Sequence, residues 1–270
     1  MSNQASTTDP PRIIAIVNQK GGVGKTTTAI NLAATLVETG HRVLIIDLDP
    51  QGNASTGLGI ALADRKATTY DLILGEIPAP EVIHQTSIEN LWISPATSDL
   101  ASADIDLSSN ETRSLLLRNA LRNTEITDLE FDIILIDCPP SLSLLTVNAL
   151  VAADSLLVPL QAEFFALEGL SQLLLTVRDI RRTANPKLRI EGIVLTMYDR
   201  RNNLSQLVEN DARETLDELV YQTVIPRNVR LSEAPSHAVP VTVYDSRSSG
   251  ARAYRELAKE MSRQLNRQKG

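Results

Sequence analysis

The stretch NQKGGVGKTTTAIN, residues 18–31, decides the fold. In front of it stands RIIAIVN (12–18), a short run of Ile and Val that reads as a strand buried on both faces. Behind it, TTTAINLAATLVETG reads as a helix that stops at Gly40. A glycine loop between a strand and a helix is a cradle for phosphate. Gly21, Gly22 and Gly24 let the backbone curl, so that the N–H groups from Gly21 through Val23 to Thr27 face phosphate oxygens at the positive end of the helix. Lys25 is spaced to reach β and γ phosphates, and the Thr26 hydroxyl is spaced to ligate Mg2+. A second lysine, Lys20, opens the loop, and the phosphate-binding pattern itself gives it no task.

Further runs of the same apolar kind follow: RVLIIDLD (42–49), FDIILID (131–137), DSLLVPL (154–160), EGIVLT (191–196) and VYQTVI (220–225). Between them lie segments with helical spacing. One aligns Leu167, Leu170, Leu173, Leu174, Val177 and Ile180; another aligns Leu204, Leu207, Val208, Ala212, Leu216 and Leu219. Buried strands alternating with helices predict an α/β fold, a mainly parallel twisted sheet with helices on both faces. We expect a flexible polar leader over residues 1–11 and one domain over 12–270, with no internal repeat. Residues 52–110 are richer in Gly, Ser, Pro and Asp and predict no clear elements.

Two of these strands end in acids. LIIDLDPQGN closes on Asp47 and Asp49, and IILIDCPPS closes on Asp137. Ligands of open parallel sheets bind beyond the carboxyl ends of the strands, so all three carboxylates are expected near the phosphates. Asp137 has the position of a magnesium-holding acid. An acid at a strand end also caps helices. For Asp47 magnesium support and a local structural role both stand.

Composition narrows the class. The 270 residues are 43% hydrophobic, ample for a sizeable core. The single cysteine, Cys138, builds no intrachain disulfide framework, which predicts a reducing, cytoplasmic compartment. No apolar run approaches the ~20 residues of a membrane span. The net charge of -7 is uneven: residues 1–195 carry 14 Lys+Arg against 23 Asp+Glu, and residues 196–270 carry 12 against 10. That balance alone does not argue for a nucleic-acid partner.

KGGVGKTT with Lys20 resembles the deviant Walker A motif of the ParA/MinD group of P-loop ATPases. DLDPQGNASTGLG (47–59), DCPPSLSLLTVNAL (137–150), EFFALEGL (163–170), LTMYDRRNNL (195–204) and IPRNVRLSEAPS (225–236) are similar to further blocks of the chromosomal, Soj-like ParA partition proteins. The resemblance implies ATP and Mg2+ as ligands and a nucleotide-sandwich homodimer in which Lys20 touches phosphates held by the other subunit. It implies that Asp49 positions the attacking water, that Asp137 is the Walker B acid, and that Pro226 and Asn228 frame the adenine. It also implies ATP-dependent, non-specific binding to double-stranded DNA through Arg201 and Arg230, with Arg200, Arg247 and Arg252 as neighbours that widen the patch. A ParB-like centromere-binding partner and a nucleoid-associated location come with the family.

Three other functions stay in view. A MinD-like membrane-associated regulator of division-site placement needs an amphipathic terminal helix. YRELAKEMSRQLNRQKG instead offers a narrow stripe of Tyr254, Leu257, Ala258, Met261 and Leu265, which suits core packing better, and no membrane partner is expected. An iron–sulfur ATPase bridging a four-iron cluster across a dimer needs two cysteines per chain, and this chain has one. A site-specific repressor needs a helix-turn-helix, for which the leader is expected to leave no room.

Overall fold

The computed structural model describes residues 10–163 and 166–268. The leader expected over 1–11 lies outside the described residues except for its last two, and so do Phe164 and Phe165 of EFFALEGL and the Leu265 side chain.

Among the described residues seven strands form one sheet: β1 (Arg12–Ile16), β2 (Val43–Asp47), β3 (His84–Gln85), β4 (Leu91–Ser94), β5 (Ile133–Asp137), β6 (Ser155–Gln161) and β7 (Arg189–Thr196). Their order is β3-β4-β2-β5-β1-β6-β7, and every pairing is parallel except the short antiparallel edge β3–β4. Successive β1 residues serve opposite faces. Ile13, Ala15 and Val17 pack with Leu44, Ile46, Ile134 and Ile136, while Ile14 and Ile16 pack with Val43, Ile45, Ile133 and Leu135. Helix α1 (Lys25–Glu38) and the terminal helix Ser249–Gln268 cover the second face. The helices Leu144–Ala152, Ala166–Thr183 and Asn203–Leu216 cover the first. The α/β architecture expected from the sequence is therefore present.

Register then sets the site. Asp137 at the end of β5 lies beside Ile16 of β1 on one side and Asp47 of β2 on the other. The loop after β1 thus opens directly over two strand-end carboxylates.

Three expectations about elements change. VYQTVI (220–225) is no regular strand. It runs beside β7, with Tyr221 N–H donating to Ile193 O (2.9 Å) and Ile225 N–H to Leu195 O (2.8 Å), and only isolated bridges form. In Asn203–Leu216 the core takes Ser205, Val208 and Ala212, while Leu207 stands 55% exposed and Leu204 lies at the border. Residues 52–110 do contain strands. β4 carries Trp92, edge-on to Phe131 with ring centroids 5.3 Å apart, and the Arg42 guanidinium lies 4.6 Å above its ring. Elements of two and four residues are too short to carry a periodicity.

Candidate active site

The loop after β1 makes its turns at Gly22 (φ 74°) and Gly24 (φ 87°), left-handed conformations that cost other residues more than glycine. Helix α1 has no side-chain cap and no acid in its first turn. Its leading N–H groups therefore face outward without a side-chain acceptor, which is what an anion needs.

Lys25 is only 6% exposed and its ammonium donates to the Lys20 carbonyl at 3.0 Å. Burial lowers its pKa, against the pull of Asp137, Cys138 and Asp49. The cation is thus held inside the loop beside the acids. Lys20 is placed differently. Its side chain is half-exposed, 2.5 Å from Glu163 Oε2 across the rim of the site, and Gln161 donates to the other Glu163 oxygen.

Asp137 is fully buried, and neither carboxylate oxygen has a hydrogen-bond partner among the described residues. Burial pushes its pKa well up and Asp47 adds to that. The nearby Thr26 hydroxyl pulls the other way without completing a hydrogen bond of ordinary geometry. A buried carboxylate with nothing to satisfy it calls for a cation. Among the described residues there is no cluster of three or more His, Cys, Asp or Glu able to cage a metal. Mg2+ suits such a place, because it takes one or two protein oxygens and completes its shell with water and phosphate. Thr26 and Asp137 are the groups that can hold it.

Asp47 has a local structural role. Its Oδ2 accepts from Ser55 N–H (2.8 Å) and Ser55 Oγ (2.6 Å), and its Oδ1 from Asp49 N–H (3.3 Å), tying the short helix Asn53–Gly57 to β2. Burial raises its pKa to about 6 in spite of those bonds. Asp49 is 8% exposed and sits in a turn, its Oδ1 accepting from Gln51 N–H (3.0 Å) and its carbonyl from Gly52 N–H (2.8 Å).

A cavity of about 600 Å³ joins Gly24 and Thr27 to Pro226 and Asn228, so the phosphate loop and the residues expected around the base share one space. Asn228 is already engaged there. Its Oδ1 caps the helix Val229–Glu233 by accepting from Arg230 N–H (2.9 Å), and its amide nitrogen donates to Ser249 Oγ (2.5 Å). Thr196 and Met197, which sequence reasoning did not single out, also line this cavity, and so does Tyr254, which the sequence assigned only to the core stripe of the terminal helix. Met197 holds a left-handed backbone (φ 50°), and Thr196 Oγ1 donates to Val23 O (2.9 Å), bracing the loop.

Arg201 lies outside the phosphate loop, 91% exposed and 3.2 Å from Asp199. Arg230 is half-exposed, 2.7 Å from Glu233 and 3.5 Å from Asp245. A second cavity, about 720 Å³, is lined by Arg200, Arg201, Arg227 and Arg252; Arg230 does not line it. Arg227 reaches both cavities, a position that the sequence alone did not signal.

Comparison with known proteins agrees with this geometry. A family model described as an AAA domain matches residues 11–190. Chromosome partitioning protein ParA of Caulobacter vibrioides is 52% identical over 261 residues, 96% of this chain and 97% of its own. Sporulation initiation inhibitor protein Soj of Bacillus subtilis is 52% identical over 251 residues, 93% and 98% of the two chains. Among solved structures, cobyrinic acid a,c-diamide synthase from Mycobacterium smegmatis with bound ADP and magnesium is 37% identical, with a TM-score of 0.81 over 95% of this chain and 96% of that one. Full-length likeness at this level, on a fold that brings the loop, Thr26 and Asp137 together, makes the chain an ATPase that uses ATP and Mg2+ and a member of the ParA/Soj family of chromosome-partitioning ATPases.

Proposed function

We propose that this ATPase forms a nucleotide-sandwich homodimer on binding ATP, that the dimer coats double-stranded DNA without regard to sequence, and that hydrolysis returns it to a monomer that lets go. Lys25 and the N–H groups of Gly21 to Thr27 bind the phosphates. Mg2+ held by Thr26 and Asp137 supplies positive charge against the phosphate oxygens. Asp49 orients the attacking water, and Lys20 of a second copy neutralises charge on the transferring phosphoryl group. Pro226 and Asn228 frame the base. Arg201 and Arg230 meet DNA phosphates. A ParB-like centromere-binding partner stimulates hydrolysis, and the cycle segregates a chromosome or plasmid in a cytoplasmic, nucleoid-associated setting.

The observation that carries this reading is the contrast between the two loop lysines. Lys25 is buried and tied to the loop, fit to serve its own nucleotide. Lys20 stands half-exposed in an ion pair of a kind that is worth little in water, free to exchange Glu163 for a phosphate from outside. Lys20→Ala should therefore bind ATP yet fail to dimerise productively or hydrolyse it. Size-exclusion chromatography and phosphate release with Mg2+ and ATP test this, and a variant that dimerises and hydrolyses like the parent sinks the trans role. Binding to random duplex DNA with and without ATP and Mg2+ tests the next step.

The membrane-associated alternative fits the terminal helix less well. Tyr254, Leu257, Ala258 and Met261 are buried in the core that α1 shares, so this stripe is already used. No described helix is long and apolar enough to cross a membrane. Co-sedimentation with liposomes in the presence of ATP would favour that alternative.

A further inference from the structure

We infer that Arg65 is a positioning residue for hydrolysis, bracing the turn that presents Asp49. Arg65 is 8% exposed, and its hydrogen bonds run to a hydroxyl and two backbone carbonyls. Nη2 donates to Thr56 Oγ1 (2.7 Å) and to Ile60 O (2.9 Å), Nε to Ile60 O (3.1 Å), and Nη1 to Ala96 O (2.9 Å). The guanidinium thus ties Thr56 and Ile60, downstream of Asp49, to Ala96 in the loop after β4.

From Thr56 the connection continues back to the acid. Thr56 Oγ1 donates to Gly52 O (3.1 Å), Thr56 N–H also donates to Gly52 O (3.0 Å), and Gly52 N–H donates to Asp49 O (2.8 Å). Arg65 and Asp49 are therefore joined by consecutive hydrogen bonds through Thr56 and Gly52. The packing is tight at the middle of that chain. A Cβ on Gly52 would collide with Arg65 Nη1 and come within 2.9 Å of Ala96 O, and Gly52 holds a left-handed backbone (φ 60°). The glycine makes room for the guanidinium, and the guanidinium holds the glycine's turn.

Charge explains why an arginine fills this place. Burial disfavours the cation, and the Asp47 carboxylate, which ties the same short helix to β2, attracts it. A planar donor fork can serve carbonyls in several directions at once, which an ammonium cannot. The inference rests on Asp49 serving hydrolysis, as proposed above.

The test uses the full chain with ATP and Mg2+, and kcat is normalised to sites that bind a fluorescent ATP analogue. Arg65→Met should lower kcat about tenfold with the KM for ATP unchanged, within the ~10²-fold that a 1 Å misplacement can cost. Arg65→Lys, which keeps the cation and part of the bonding, should recover to within about threefold of the parent. A purely structural role would instead lower the number of binding sites and leave kcat per site alone. Gly52→Ala should mimic Arg65→Met, and its effect should shrink in the Arg65→Met background, where the collision with the guanidinium is gone. Unchanged kcat per site in folded Arg65→Met, or a KM change alone, overturns the inference. Should Arg65→Met not fold, Gly52→Ala decides: a lower kcat at constant KM supports the inference, and parental kcat overturns it. Asp49→Ala run beside them separates the two readings. If it hydrolyses ATP normally, the Asp49 assignment is what fails. If it is inactive while Arg65→Met is normal, only the Arg65 inference falls.

Discussion

At the floor of the nucleotide site Lys25 is buried against a loop carbonyl, and Asp137 is buried with no hydrogen-bond partner among the described residues. Around the rim, Lys20 and Arg230 are about half open to water and Arg201 almost wholly so, and each leans on a carboxylate of its own chain. The difference is one of completeness. The floor's charges are desolvated and held by the fold. The rim already has partners, but exposed ones that salt or another charged molecule can replace. On the proposed reading, one chain alone therefore offers ATP its phosphate site. In the proposed cycle, contacts to a second copy or to DNA would have to be won from Glu163, Asp199, Glu233 and Asp245.

The largest effect that could break this contrast belongs to Lys25. Lys25→Ala should weaken ATP by about a hundredfold or more, since two or three charge-assisted hydrogen bonds of about 1.5–3 kcal/mol each are lost. Parental affinity for a fluorescent ATP analogue would mean that the floor is not where the phosphates sit. Next comes Asp49→Ala, which leaves Lys25 in place. It should bind ATP and remain dimeric by size-exclusion chromatography while hydrolysis falls about 10²–10⁴-fold. Elution only as a monomer would separate Asp49 from the hydrolysis step.

The rim predicts smaller, salt-sensitive changes. Arg201→Ala and Arg230→Ala should each keep ATP binding and dimerisation and lose DNA affinity. In a symmetric dimer one substitution removes two phosphate contacts, so the slope of log affinity against log salt should drop by about 1.8. AT-rich and GC-rich duplexes should respond alike, because phosphates carry no base identity. Parental affinity and slope in both variants would move the DNA surface to the cavity lined by Arg227 and Arg252.

The smallest effect sharpens the picture of the floor. Burial raises the Asp47 pKa from an ordinary 3.8 to about 6, so between those values the native state keeps a proton that the unfolded chain releases. Stability should therefore fall as pH rises from about 4 to about 6, the native state binding more protons there. Asp137, also pushed up by burial, adds to the same fall, so Asp47→Asn, which has no proton to lose, should reduce the slope without abolishing it in urea titrations without Mg2+. An unchanged slope would show that the Asp47 carboxyl is not the group responsible.

Much of this was legible in the sequence. The phosphate loop was, because strand, glycines and helix are contiguous, and so were the places of Asp47 and Asp137 at the ends of β2 and β5, because strand ends mark themselves by where an apolar run stops. What stayed hidden depends on residues far apart. Arg65 reaches Ala96, and Glu163 reaches Lys20 across 143 positions, with no local pattern to announce either. VYQTVI has strand composition, yet it bonds β7 only at intervals. Composition fixes which residues prefer a sheet; it does not make a ladder continuous.

One feature of β4 supplies a means of watching the molecule. Trp92 is the chain's single tryptophan, wedged between the Phe131 ring and the Arg42 guanidinium on β4, next to β2. Its fluorescence emission therefore comes from one known place. Loosening of the β2–β4 edge should shift that emission to the red, whereas nucleotide filling the cavity around Pro226 should leave it nearly still. A single intrinsic chromophore can thus time the melting of the sheet separately from the filling of the site.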